Sequence, residues 1–261
     1  MEAIVLYPVP AMGHLISMVE LGKLILTHHP SFTINILITT PPFNTGCTAQ
    51  YITDVSSTTP SITFHHLPTI SLLLSSYATI EALTFELLQL NNPNVHRALQ
   101  SISQTCTVRT LIIDGFCTPA VAVATELNIP TYYFYTSGAS SLASFLYFPI
   151  IHENTTESFK DLNRLLYIPG IPPIPSSDMP QPLLDRSTKV YEYFLYCSTH
   201  MRKSAGIIVN SFDSLEPRAV KAISDGLCTN SPLRLQRNDA VLKEGQFGYF
   251  TIPSTPLVKP F

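Results

Sequence analysis

Charge is what this sequence has least of. Aspartate, glutamate, lysine and arginine make up 13% of its 261 residues, against 45% hydrophobic residues. A chain so poor in charge and so rich in apolar side chains can bury enough surface to offset the entropy of ordering. That excludes disorder over most of its length. The formal net charge is -3 and the isoelectric point is near 6.2. There is no basic face of the kind that binds nucleic acid, and no basic run suited to an anionic membrane surface. The length admits one large domain or two small ones.

Cysteine is also sparse. Cys47, Cys106, Cys117, Cys197 and Cys228 are odd in number and never spaced C-x-x-C. They read as reduced thiols in a cytosolic protein, not as a disulfide frame or a zinc site. The pairs His28-His29 and His65-His66 lack an acidic or cysteine partner at ligand spacing, and adjacent residues on one element point different ways. No metal is expected. Three familiar signatures are missing as well. Gly13 is the only glycine in the loop after the first strand, so there is no G-x-G-x-x-G; there is no Walker A lysine motif and no G-x-S-x-G elbow. Dinucleotide, P-loop and α/β-hydrolase readings lose their support. The amino terminus opens on a strand with an acidic Glu2, unlike a secretory leader. The longest apolar stretch, Ala139 to Ile151, is broken by serines and Pro149 and falls short of the ~20 residues a span needs. No membrane span and a cytoplasmic location are expected.

What the chain does have is alternation. Short apolar or β-branched runs predict strands at 3–7, 32–38, 62–65, 110–113, 131–135 and 206–210. Between them, helical spacing predicts helices at 13–29, 80–90, 95–104, 119–127, 137–150, 190–203 and 217–226, with a further short helix in the loop after Pro42 and Pro217 in a first turn. A proline-rich loop runs to Pro182. Strands apolar on both faces that alternate with helices predict an α/β fold, a parallel sheet with helices on both faces. Such sheets bind ligands beyond the carboxyl ends of their strands, so the loops 8–14, 114–117 and 136–139 hold the informative residues.

His14 stands where the first strand gives way to the first helix. An imidazole there can accept a proton near neutral pH, although position alone favours an ordinary loop or helix-start histidine. Asp114 ends the buried run Leu111-Ile112-Ile113. A carboxylate in that place needs a partner. It either orients a histidine, as in base-plus-orienter pairs, or caps the next helix. Thr136 and Ser137 precede a helix, where hydroxyls and backbone N–H groups favour polar or anionic ligands; the alternative is a plain N-cap. The loop 67–76, the segment 81–90, Phe116 and Phe145 to Phe148 offer aromatic and apolar walls for a flat ligand, or ordinary core packing.

Four segments then carry a resemblance. IVLYPVPAMGHLISMVELGKLIL, LIIDGFCTPAVAVATELNIPTYYFYTSGAS, IPGIPPIPSSDMPQPLLDR and GIIVNSFDSLEPRAVKAISDGL occur in this order between residues 1 and 228. Together they resemble the N-terminal half of plant family-1 UDP-glycosyltransferases, closest to the group acting on flavonoid and isoflavone 7-hydroxyls. The resemblance implies the Rossmann-like N-terminal domain of a metal-independent GT-B glycosyltransferase, an acceptor-binding domain over residues 1–228. It implies His14 as general base, Asp114 as its acidic partner and Thr136 as a donor contact. Ser137, Gly13 and Phe116 join them as substrate-binding residues. No cofactor is implied; a UDP-sugar, by family default UDP-glucose, is co-substrate, and the acceptor is a small phenolic molecule. Many relatives have a proline soon after the histidine, where this chain has Leu15-Ile16-Ser17-Met18.

After Cys228 the family continues into a second domain whose donor-binding box contains tryptophan, and this chain has no tryptophan. The donor domain is therefore expected to be absent, and residues 229–261 to form an atypical, disordered or aberrant tail. The chain alone is expected to be inactive. A non-catalytic domain that holds aromatic ligands, or that partners a full-length relative, is the alternative.

Overall fold

The structure is a computed structural model that describes residues 1–42, 47–73, 76–201, 204–229 and 249–253. Parts of the 67–76 loop and of the 229–261 tail thus lie outside the described residues. The chain divides into two compact units, Met1–Tyr132 and Tyr133–Phe261.

The first unit is built on four parallel strands: β1 (Glu2–Tyr7), β2 (Phe32–Ile38), β3 (Ile62–His66) and β4 (Thr107–Asp114), in the order β3-β2-β1-β4. From Ile4 to Tyr7 in β1 and from Leu111 to Asp114 in β4 every residue is buried, as sheets covered on both faces require. Fully buried Leu6, Ile34, Ile36 and Leu37 form the centre of its core; each such side chain contributes roughly 1.5–3 kcal/mol. Helix α1 (Met12–His28) buries Leu15, Met18, Val19, Leu21 and Gly22. A Cβ on Gly22 would lie 3.1 Å from Ile34 Cγ2 and 3.4 Å from Leu6 Cδ1, so the bare glycine lets the helix pack close to β1 and β2. Helix α2 (Cys47–Thr58) precedes β3. Helix α3 (Ile80–Leu90) is capped by Thr79, whose hydroxyl accepts from the Ala82 N–H at 3.2 Å. Helix α4 (Asn92–Ser103) starts three residues before the predicted Val95, because Pro93 sits in its first turn, where a missing N–H costs nothing. Helix α5 (Ala120–Glu126) follows β4.

Strand β5 (Thr131–Tyr135) spans the division between the units. The second unit continues with α6 (Ala139–Glu153), the two-residue antiparallel strands β6 (Leu165–Leu166) and β7 (Ile174–Pro175), α7 (Lys189–Met201), β8 (Gly206–Asn210), α8 (Pro217–Ser224) and β9 (Tyr249–Pro253). Strand β8 lies between β5 and β9, and β9 pairs with it antiparallel. Sequence patterning misses β6 and β7, which are too short to show alternation.

Helix α6 runs through Pro149 to Glu153, three residues past its predicted end. Proline cannot donate to the carbonyl four residues back, here that of Phe145. The Ser198 hydroxyl of α7 donates to this carbonyl at 2.6 Å, and Ser198 is fully buried. The helix therefore continues because its neighbour supplies the missing donor. Phe148 packs in the unit's core with Phe159 and Tyr191, and Phe145 is buried against Tyr135 and Phe194. Phe148 is thus ordinary core packing rather than an exposed aromatic wall. Gly170 has φ +84°, and a Cβ there would come within 2.7 Å of Ala222 Cβ and 2.8 Å of the Arg218 carbonyl oxygen.

Two substitutions test this packing by denaturant unfolding. Ser198→Ala leaves a buried carbonyl without its donor and is expected to cost about 1–3 kcal/mol. Gly170→Ala combines left-handed backbone strain with a clash against α8, and a loss of about 2–4 kcal/mol is expected. A change within 0.5 kcal/mol in either would contradict the packing described.

Candidate active site

The parallel register of β1 and β4 sets Tyr7 opposite Ile113. Both strands therefore leave the sheet side by side at their carboxyl ends. Asp114 is the last residue of β4, and α1 begins at Met12, so His14 lies in its first turn. Two side chains 100 residues apart meet there: His14 Nδ1 stands 2.6 Å from Asp114 Oδ2. A carboxylate only accepts hydrogen bonds, so Nδ1 carries the hydrogen and the lone pair of the neutral ring lies on Nε2. The other carboxylate oxygen, Oδ1, accepts from the Phe116 backbone N–H at 3.1 Å. Asp114 thus orients a histidine and closes a local turn at once. It does not cap α5, whose N-cap is Pro119.

The pair is asymmetric in burial: the Asp114 side chain is 2% exposed and that of His14 29%. Burial opposes a charged imidazole, but the hydrogen bond and the negative charge of Asp114 outweigh it. His14 is therefore held above the ordinary histidine range.

Gly13 is exposed, and a Cβ built on it would meet no atom within 4 Å. Phe116 is half-buried, with its ring centroid 5.7 Å from that of Phe85 on α3. Phe85, within the expected segment 81–90, thus meets Phe116, whose backbone N–H bonds Asp114. Phe85 itself is not singled out by sequence, since at helical spacing it is indistinguishable from a core residue. The tempting histidine at 65 is engaged with Asn35, its Nε2 lying 2.8 Å from Oδ1, and burial lowers its pKa. Among the described residues no group of three or more His, Cys, Asp or Glu is placed to hold a metal ion. Nor is any described helix long and apolar enough to cross a membrane.

Thr136 and Ser137 belong to the second unit and follow β5. The N-cap of α6 is Gly138, so neither residue caps the helix. The backbone N–H groups expected to be open at this helix start are taken: Ala139 and Ser140 donate to the Glu216 carboxylate at 2.7 and 2.8 Å. Thr136 is held through its carbonyl oxygen, which accepts from Asn210 Nδ2 at 3.1 Å; Ser137 is exposed.

A parallel α/β sheet with a histidine–carboxylate pair at the carboxyl ends of its strands falls in the class of α/β folds that bind ligands over that edge. Comparison with known proteins narrows the class. No protein-family model matches the sequence. UDP-glycosyltransferase 88B1 of Stevia rebaudiana is 49% identical over 223 residues, which cover 85% of this chain and 48% of the relative. An anthocyanidin 5,3-O-glucosyltransferase of a Rosa hybrid cultivar is 50% identical over 239 residues, 87% of this chain and 50% of the relative. Among solved structures, UGT2 of Phytolacca americana, complexed with UDP-2fluoro-glucose and pterostilbene, superposes with a TM-score of 0.80 at 27% identity, covering 94% of this chain and 55% of that one. The chain is homologous to the plant UDP-glycosyltransferases, with the fold of their GT-B N-terminal domain. It spans about half the length of the curated relatives it matches.

The pair makes a direct prediction for NMR titration. The His14 imidazole should titrate above about 6.5, the ordinary histidine value. In Asp114→Asn, where burial remains and the charge is gone, it should titrate below that value. Because the folded pKa is raised, the pair contributes stability that is fully present below the unfolded pKa and is lost as pH rises through the folded one. An unchanged midpoint in Asp114→Asn would contradict the assignment.

Proposed function

We propose that this chain is the acceptor-binding half of a UDP-sugar-dependent glycosyltransferase that transfers a hexose, by default glucose, to a phenolic hydroxyl of a flavonoid- or isoflavone-type molecule. The observation that carries the reading is the 2.6 Å bond between His14 and Asp114 at the carboxyl edge of the sheet. The names of relatives and the ligands of the solved neighbour support the substrate classes.

In this reading His14 Nε2 takes the proton of the acceptor hydroxyl as that oxygen attacks the anomeric carbon. The bond from that carbon to the diphosphate breaks, UDP leaves with the electron pair, and the configuration inverts. Asp114 stabilises the imidazolium that forms and holds its tautomer. Gly13 leaves room above the base, Phe116 forms an aromatic wall, and Thr136 and Ser137 meet the donor. The acceptor-binding domain covers residues 1–228, residues 229–261 are an atypical tail, and the protein works in the cytoplasm. Most donor contacts fall outside the 261 residues. Positioning two substrates supplies ~7–11 kcal/mol of such a barrier, so the chain by itself should bind acceptors without transferring sugar.

A fusion tests this directly. Joined in frame to the second half of the Stevia relative and supplied with UDP-glucose and a panel of flavones and isoflavones, the chain should yield hexose adducts by mass spectrometry. His14→Ala should lower the rate by about 10²–10⁴-fold. A fusion that folds, binds UDP-glucose and transfers equally well without His14 would overturn the assignment of the base.

A further inference from the structure

The start of α6 is closed by a side chain from 77 residues away. Glu216 stands just before α8, and its Oε2 accepts from the Ala139 N–H at 2.7 Å and its Oε1 from the Ser140 N–H at 2.8 Å. The Ser211 hydroxyl donates to the same Oε2 at 2.5 Å. Position 138 is glycine because the carboxylate needs the space: a Cβ there would sit 2.5 Å from Oε2. From the other side, Asn210 Nδ2 holds the Thr136 carbonyl at 3.1 Å. The turn 136–138 is therefore gripped at both ends by one short segment, 210–216.

A helix N-terminus with open N–H groups attracts phosphate. Here the helix start carries its own anion, so a second would meet like charge and find the two donors occupied. Resting on the functional reading above, we propose that Glu216 is a positioning residue that plugs the N-terminus of α6, fixes the Thr136–Ser137 turn toward the donor, and excludes the donor's phosphates from that helix end. The exposed Ser137 is left to offer its hydroxyl, which suits a neutral sugar. Burial opposes ionisation of Glu216, but the hydroxyls of Ser211 and Ser140 and the two N–H groups prevail and hold its carboxyl at about 2.

The test uses the 261-residue chain and amide NMR. In Glu216→Ala the Ala139 and Ser140 amides should exchange about 10- to 100-fold faster. Formate, as a free carboxylate, should slow them again and return the Thr136 and Ser137 resonances to their wild-type positions. Inorganic phosphate should shift the Ala139 and Ser140 resonances saturably in Glu216→Ala and leave them still in the wild type. Should the variant not fold, ¹³C-carboxyl titration of the wild type decides: a Glu216 midpoint near 2 supports the plug, and one in the ordinary carboxylate range overturns it. Unchanged exchange in the variant, no rescue by formate, or phosphate binding at these amides in the wild type would also overturn it. None of these readouts involves sugar transfer, so their failure is distinguishable from failure of the transferase reading.

Discussion

Everything proposed for the first unit depends on one hydrogen bond, between His14 and Asp114. A carboxylate as buried as Asp114 is tolerable only with partners for both oxygens, and the site provides them, one from the imidazole and one from the Phe116 N–H. The bond in turn depends on sheet register. With β1 and β4 paired so that Tyr7 faces Ile113, the loop into α1 and the end of β4 emerge together. A one-residue slip would send Asp114 to the opposite face of the sheet. The apolar residues that lock the register, Leu6 and Leu111 among them, thus keep the pair together.

The second unit solves a different problem with similar means. Its helix α6 lacks hydrogen-bonding partners at two places: its first turn, where N–H groups are orphaned in every helix, and Phe145, whose carbonyl loses its donor to Pro149. Both are met by side chains distant in sequence, Glu216 and Ser198. Arg186 adds a third tie near the other end of the helix, donating to the backbone carbonyl of His152 at 3.0 Å. An apolar helix is thereby fastened at its start, middle and end by polar bonds that fix where it sits, a task that burial, being non-directional, performs poorly.

The architecture was legible because alternation of apolar strands with periodic helices is a local signal. Strands 32–38, 131–135 and 206–210 and helix 80–90 coincide with the observed elements. The site was legible in part: position alone made His14 an ordinary loop or helix-start histidine, the family resemblance paired it with Asp114, and the register of β1 and β4 brings the two side chains to 2.6 Å. Glu216 was not legible. It reads as the residue before a proline-initiated helix, and nothing local to Ser211 or Pro217 points to Ala139. The predicted helix already runs past Pro149 and stops three residues short of Glu153; Ser198, the donor beside that proline, belongs to another element.

That last arrangement bears on the order in which the chain can acquire structure. A helix normally closes its own hydrogen bonds and can flicker into existence alone. Helix α6 cannot complete itself, because the donor for Phe145 arrives only when α7 is in place. Its middle should therefore gain protection no earlier than the docking of a segment some fifty residues later, which makes α6 and α7 a single cooperative step and not two successive ones.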